Sequence, residues 1–140
     1  MNIEKARAEH AYNTIKDLPE DVKKYTSYVK VLPAAILQNG LGQAMATLLA
    51  ASKGNLAMEN GEVVSAHRLL FSHIQRWLCR DEPLAPFRTE NGADDDSDIL
   101  MEKITSNNEE FYIRAQTEAL AYLTWLKKFA SAFLPEGEDR

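Results

Sequence analysis

The sequence predicts an all-α protein, a single-domain bundle of five to six helices. Apolar residues recur at helical spacing through most of the 140 residues, and no segment shows the alternation of a convincing strand. A chain of this length suits one domain with one core. We expect the domain to span residues 1–134 and the last six residues, PEGEDR, to form a frayed tail.

The first two helices are predicted on either side of the segment DLPED at 17–21. Residues 3–16 place apolar side chains on one side of a helix. Asp17 or Leu18 is then expected to cap the second helix, with Pro19 at its first position. This helix continues through Tyr25 and Val29, and Pro33 is predicted to end it and to begin the next one.

The third predicted helix contains Asn39-Gly40 and Gly42, which are unusual in a helix interior. Asn-Gly can form a hairpin turn, but the flanks lack alternating strands and keep helical spacing instead. Each glycine costs about 1 kcal/mol in a helix interior. The close approach of another backbone or a local kink would offset this cost. Residues 52–60 are predicted to be the loop that follows.

The second half of the chain predicts three more helices. One runs from about Val63 to Arg80, and residues 81–96 form an acidic loop with two prolines. A short helix is expected at 97–105. A capping box at 106–109 then begins a long helix that ends at about Phe133.

Helical spacing also predicts which side chains of the last two long helices point inward and which point outward. Arg114 and Glu118 are interpreted as a surface or inter-helix pair, and Trp77 and Trp125 as core residues. The inward positions are Tyr112, Ala115, Ala119, Tyr122, Leu123, Leu126, Ala130 and Phe133.

The residues do not indicate an enzyme, a cofactor or a metal. The segment DDDSDI at 94–99 fails as a calcium loop, because Ile99 and Thr105 stand where glycine and glutamate are required. The spacing of His67, His73 and Cys79 places them on different faces of a helix. Cys79 is interpreted as a buried free thiol. A single cysteine, no signal sequence and no membrane-spanning run predict a cytoplasmic protein.

The charge is unevenly distributed along the chain. Residues 22–80 carry seven basic and two acidic residues, a net charge of +5, whereas the whole chain carries −5. A basic middle on an acidic protein suggests a face that meets a polyanion. Chance clustering of solvated lysines remains the alternative.

Two segments resemble one protein family, the small helical subunit of the type III-B CRISPR effector, the Cmr complex. The first segment contributes Tyr25, Tyr28, Val29, Lys30, Leu32, Pro33, Ile36, Asn39, Gly40, Leu41, Gly42 and Gln43. The second contributes Arg114, Glu118, Leu123, Trp125, Leu126, Lys127, Lys128, Phe129 and Ala130. The resemblance spans roughly residues 22–132.

The resemblance implies an all-helical subunit without a catalytic centre. Copies would stack into a minor filament beside the filament that holds the guide RNA, and would help to hold the guide–target RNA duplex for antiviral defence. The partners implied are that duplex, the other Cmr subunits and further copies of the chain. A helical adaptor that binds only protein is the alternative.

On this hypothesis, the basic middle of the chain contacts RNA without reading its sequence, and the lack of acids in residues 32–54 avoids repulsion of phosphate. Gly40 and Gly42 would allow a backbone to approach closely, although tight helix packing would also explain Gly40. The expected RNA-contacting residues are Lys23, Lys24, Lys30, Gln38, Asn39, Gly40, Gln43 and Lys53, with Arg68 and Arg76 as second candidates. For each lysine, a solvated surface position is the other interpretation.

Overall fold

The computed structural model describes residues 2–19 and 22–134 of the chain. Within these ranges it contains six helices and one short β-hairpin, which confirms the predicted all-α bundle. The expected tail at 135–140 lies outside the described residues, so the domain limit at 134 stays a prediction. The elements are α1 Ile3–Lys16, α2 Lys23–Asn39, α3 Leu41–Ser52, β1 Met58–Glu59, β2 Glu62–Val63, α4 Ala66–Leu78, α5 Ile99–Ser106 and α6 Glu109–Phe133.

Helices α4 and α6 organise the bundle. The long helix α6 packs along α1 and α2, and α4 packs against α3 and α2. Ten of the thirteen residues of α4 are buried, so this helix is covered on nearly every side. Among residues 2–19 and 22–134, no helix is long and apolar enough to cross a lipid bilayer.

The carboxylate of Glu118 joins three helices. It accepts two hydrogen bonds from Arg7 of α1, at 2.7 Å from Nε and 2.9 Å from Nη2. It also accepts the indole N–H of Trp77 in α4 at 2.8 Å. Of the two predicted alternatives, Glu118 thus forms the inter-helix pair, and its partner is Arg7 rather than Arg114. Arg114 instead lies over the ring of Phe111.

The boundary between α2 and α3 differs from the prediction. Helix α2 continues through Pro33, which leaves one carbonyl of the preceding turn without its usual donor. The chain breaks at Gly40 instead, where φ is +90° and ψ is 157°. Pro19 precedes α2 rather than opening it, and Asp17 ends α1.

A hairpin replaces part of the predicted loop at 52–60. β1 and β2 pair antiparallel around Asn60-Gly61, whose φ angles are 54° and 81°. Two consecutive positive φ angles are typical of the tight turn that Asn-Gly favours between strands. The hairpin leads directly into α4, which begins three residues after β2 ends.

The last helix begins and ends differently from the prediction. Asn108 caps α6 by accepting the N–H of Phe111 at 3.1 Å, whereas Ser106, the predicted cap, belongs to α5. Phe133 is 61 % exposed, although its spacing predicted an inward position. Trp77 is buried as predicted. Trp125 is only half-buried, and its indole donates to Glu4 of α1.

We predict that Glu118→Gln lowers the free energy of unfolding by about 2–3 kcal/mol. The amide keeps the size of the side chain but cannot accept three charge-assisted hydrogen bonds, and Arg7 would lose its charge partner. Denaturant unfolding measures this change. Glu110→Gln on the exposed side of α6 is the matched control and should change little. Equal losses in both variants would contradict the role of Glu118.

We also predict that the protein loses stability between pH 7 and pH 5. Burial, with the charges of Arg76 and Arg80, lowers the pKa of His10 to about 4, and burial also holds the pKa of His73 well below its usual value. In the unfolded chain, both imidazoles bind protons below about pH 6.5. In the folded chain, the same imidazoles stay neutral until the pH is considerably lower. Lowering the pH therefore favours unfolding.

The contribution of His10 alone amounts to about 2 kcal/mol between pH 7 and pH 5. Unfolding curves of the wild type and of His10→Asn at both pH values test it, and the variant should show the smaller pH dependence. The Glu4 and Asp81 carboxyls have lowered pKa values and titrate in more acidic solution, so they contribute little to the change in stability between pH 7 and pH 5. An identical dependence in both proteins would overturn the assignment.

Candidate nucleic-acid interface

Helix α2 carries the first group of predicted RNA-contacting residues, most of them along one line. Lys24 and Asn39 are spaced so that they share a line with Tyr28, Val31 and Ala35. The side chains of Lys24 and Asn39 are exposed. This line lies beside the buried face of α2 and reaches the junction with α3.

The remaining candidates of this region lie elsewhere on α2 and on α3. Gln38 is exposed and follows Val31 by seven residues, so it lies close to the same line, whereas Lys30 is half-buried and lies off it. Gln43 is exposed in the first turn of α3, and Lys53 is exposed at its end with a positive φ of 53°. Lys23 is the first residue of α2.

Tyr28 and His67 form an aromatic pair that sequence reasoning did not assign to the site. Their rings stack with centroids 3.9 Å apart and planes 17° apart, which joins α2 to α4. Burial, and then the nearby charge of Lys24, lower the pKa of His67, so its ring is neutral near pH 7. The helical spacing from Lys24 could have placed Tyr28 beside the predicted site, but it gives no sign of the stack with His67, which belongs to another helix.

Gly40 and Gly42 face α6 rather than solvent. The first N–H groups of α3 have their hydrogen-bond acceptors on α6. The N–H of Leu41 donates to Gln116 Oε1, and that of Gly42 to the hydroxyl of Tyr112, each at 2.9 Å. These bonds satisfy donors that a helix leaves unpaired at its first turn.

The conformation and surroundings of Gly40 explain why it is glycine. Its φ of +90° is one that other residues rarely adopt, and a Cβ there would lie 3.0 Å from the hydroxyl of Tyr112. The packing interpretation of Gly40 thus has an observed partner within the chain. The approach of RNA to this position stays a prediction.

Arg68 has a structural role that conflicts with its place among the RNA-contacting candidates. It is buried, and its guanidinium bonds to the Asp98 carboxylate at 2.9 Å and to the carbonyls of Asp95 and Ser97 at 2.9 and 2.7 Å. Arg76 lies 3.1 Å from the carboxylate of Asp95. Both arginines therefore face the acidic loop, a tertiary contact that helical spacing alone does not show.

The other polar groups of α4 also hold this loop. Ser72 donates to the carbonyl of Asp95, and the amide of Gln75 donates to those of Asp94 and Ser97. The segment that superficially resembles a calcium loop is thus bound by protein donors. Its backbone carbonyls are engaged by α4.

The groups considered for metal binding or catalysis lie apart and have structural contacts. His73 is buried and lies 2.6 Å from the Tyr25 hydroxyl. Cys79 is a buried free thiol, as predicted, and burial raises its pKa to about 11. A thiol of this kind is a poor nucleophile.

The family model of CRISPR-associated protein (Cas_Cmr5) matches residues 3–133. Because the match covers nearly the whole chain, the chain belongs to this family. It is accordingly a small helical subunit of the type III-B CRISPR effector, the Cmr complex, and associates with other subunits of that complex.

We predict that Gly40→Ala and Gly42→Ala have different effects on stability. Gly40→Ala places a Cβ against Tyr112 at an unfavourable φ and should lower the free energy of unfolding by about 2 kcal/mol. Gly42→Ala should be neutral or slightly stabilising, because its Cβ would meet Ile104 at 3.4 Å and alanine favours the helix.

Thermal or denaturant unfolding of both variants makes this comparison. Gly54→Ala is the control for strain alone, since its φ is +80° and a Cβ there would meet nothing within 4 Å. A decrease in stability at Gly40 no larger than that at Gly54 would show that the contact with Tyr112 does not matter.

Proposed function

We propose that this subunit is non-catalytic and contacts RNA held by the Cmr complex through the exposed side chains of α2 and α3. The contacts are to phosphate and sugar, so they do not read sequence. The observation that carries the proposal is the complete lack of aspartate and glutamate in residues 22–58 of a chain with 21 acids. A surface without acids does not repel the phosphate backbone.

Several exposed side chains of this region suit that role. Lys24 and Lys53 provide positive charge, and the amides of Gln38, Asn39 and Gln43 provide hydrogen-bond donors. Lys23 and Lys30 belong to the same acid-free segment. Lysine acts on phosphate as a point charge, which favours sequence-independent binding over base recognition.

The non-catalytic part of the proposal is supported by the contacts of the titratable side chains. His10 bonds to Tyr122 and His73 to Tyr25, and Glu118 is engaged by Arg7. General acid–base catalysis requires such a group within reach of a substrate proton. These three side chains instead hold helices together.

We further propose that an aromatic face of α1 and α6 contacts protein, either other Cmr subunits or a second copy in a minor filament. Phe129 stacks between Trp125 and Phe133, and Tyr12 packs edge-on against Phe129 and Phe133. Phe133 and Tyr12 are 61 % and 41 % exposed. Exposed aromatic clusters are typical of protein interfaces.

The same aromatic face favours the second candidate function, a cytoplasmic adaptor that binds only protein. An adaptor needs an exposed apolar surface and no RNA. The two functions differ in whether the exposed side chains of α2 and α3 contact RNA, so the decisive variants belong on α2.

We predict that Lys24→Glu with Lys30→Glu weakens RNA retention by the purified complex by about tenfold at physiological salt. The slope of affinity against salt should also fall, by about one unit for each phosphate that the variant no longer neutralises. Tagged wild-type and variant chains are purified from their native cell, and the bound RNA is quantified after washes of rising ionic strength.

The double variant Lys127→Glu with Lys128→Glu is the matched control. It makes the same charge change with two exposed lysines of α6. An unchanged salt slope in the α2 variant would remove these lysines from the interface. Copurification of protein partners without any RNA would favour the adaptor.

A further inference from the structure

We propose that the cavity between α2, α3 and α4 binds one unpaired nucleobase of an RNA strand. The inference deepens the proposed function and rests on it. The cavity has a volume of about 220 Å³, and its rim and walls include Tyr28, Val31, Ala35, Asn39, Thr47 and His67.

The size and apolar floor of this cavity fit a single planar ring system. The floor consists of Leu32, Ala44 and Leu48, which belong to the hydrophobic core. An apolar cavity of roughly 150 Å³ is sufficient for benzene. The larger cavity here therefore has room for a base with its exocyclic groups.

The stacked rings of Tyr28 and His67 give the cavity an aromatic wall. Each ring belongs to a different helix, and their stacking contact, with centroids 3.9 Å apart, stabilises the position of both rings. Nucleobases stack on aromatic side chains irrespective of their identity, because every base presents a π-face. Such a wall adds affinity without adding sequence preference.

One positive charge close to the cavity favours a ligand that carries an anion. Lys24 lies one turn before Tyr28, and its charge acts on the ring of His67. The first acid after α2 begins is Glu59, beyond the end of α3. An aromatic ring attached to a negatively charged group suits this setting, and a nucleotide has both parts.

The base must be unpaired to enter. Bases within an A-form duplex are stacked and paired, whereas a splayed base exposes its ring and its hydrogen-bonding edge. The exposed amide of Asn39 and hydroxyl of Thr47 lie at the cavity and can meet that edge. The Thr47 hydroxyl donates to the carbonyl of Gln43, which leaves its oxygen to accept.

An NMR titration of the full chain tests the proposal. The probes are a short oligouridylate and an abasic ribose–phosphate oligomer of the same length and charge. Methyl signals of Val31 and Leu48 report on the cavity. We expect the oligouridylate to shift these signals and to bind about tenfold more tightly than the abasic oligomer, as expected for the stacking of one base.

Two variants separate the base from the backbone. Ala35→Leu fills the cavity without changing charge, and should reduce the affinity for oligouridylate to that for the abasic oligomer. Ala34→Leu is the matched control, because its side chain is exposed on α2 and outside the cavity. If Ala35→Leu does not fold, Thr47→Leu at the exposed edge of the cavity replaces it.

The remaining outcomes overturn the proposal in distinguishable ways. Equal, salt-sensitive binding of both oligomers would remove the base site while supporting backbone contacts by α2 and α3. The absence of shifts with either oligomer would argue against the base site and against RNA contact by this chain alone. Shifts with an acidic peptide that contains phenylalanine, but not with RNA, would assign the cavity to a protein ligand.

Discussion

The carboxylate of Glu118 is the contact on which the rest of the bundle depends. It holds α1 through Arg7 and α4 through Trp77, so the three helices meet at one charged group. Gln116 and Tyr112, earlier on the same helix, receive the first N–H groups of α3. The position of α6 against α1 and α4 therefore also sets where α3 begins. Helix α3 carries part of the acid-free segment, residues 22–58.

Helical spacing predicts the elements well because the buried positions of a helix recur with a fixed period. It locates α1 at the observed limits and α5 to within two residues. The α2–α3 boundary depends instead on contacts from α6, which are remote in sequence. Pro33 is tolerated inside α2, and the break falls at Gly40, where Tyr112 approaches. The hairpin at Asn60-Gly61 is a local signal that sequence reasoning read as loop, since its strands have only two residues each.

The candidate site is only partly predictable for the same reason. Exposed polar residues of α2 and α3 follow from composition and spacing. The burial of Arg68 does not, because it results from a loop that returns to α4 from more than twenty residues further along the chain. Tyr28 and His67 come from different helices, so their stack is visible only in the folded chain.

The structure also changes the interpretation of the net positive charge of residues 22–80. Arg68 and Arg76 face Asp98 and Asp95, and Arg80 pairs with Glu82 while lying 3.6 Å over the ring of Trp77. Three of the seven basic residues of this segment thus offset local acids, so the charge of these arginines is not available to an RNA that contacts α2 and α3. A few lysines give weak, salt-sensitive attraction to RNA. If several copies line one RNA, linkage within the assembly multiplies these weak contacts, so strong retention does not require a strongly basic subunit.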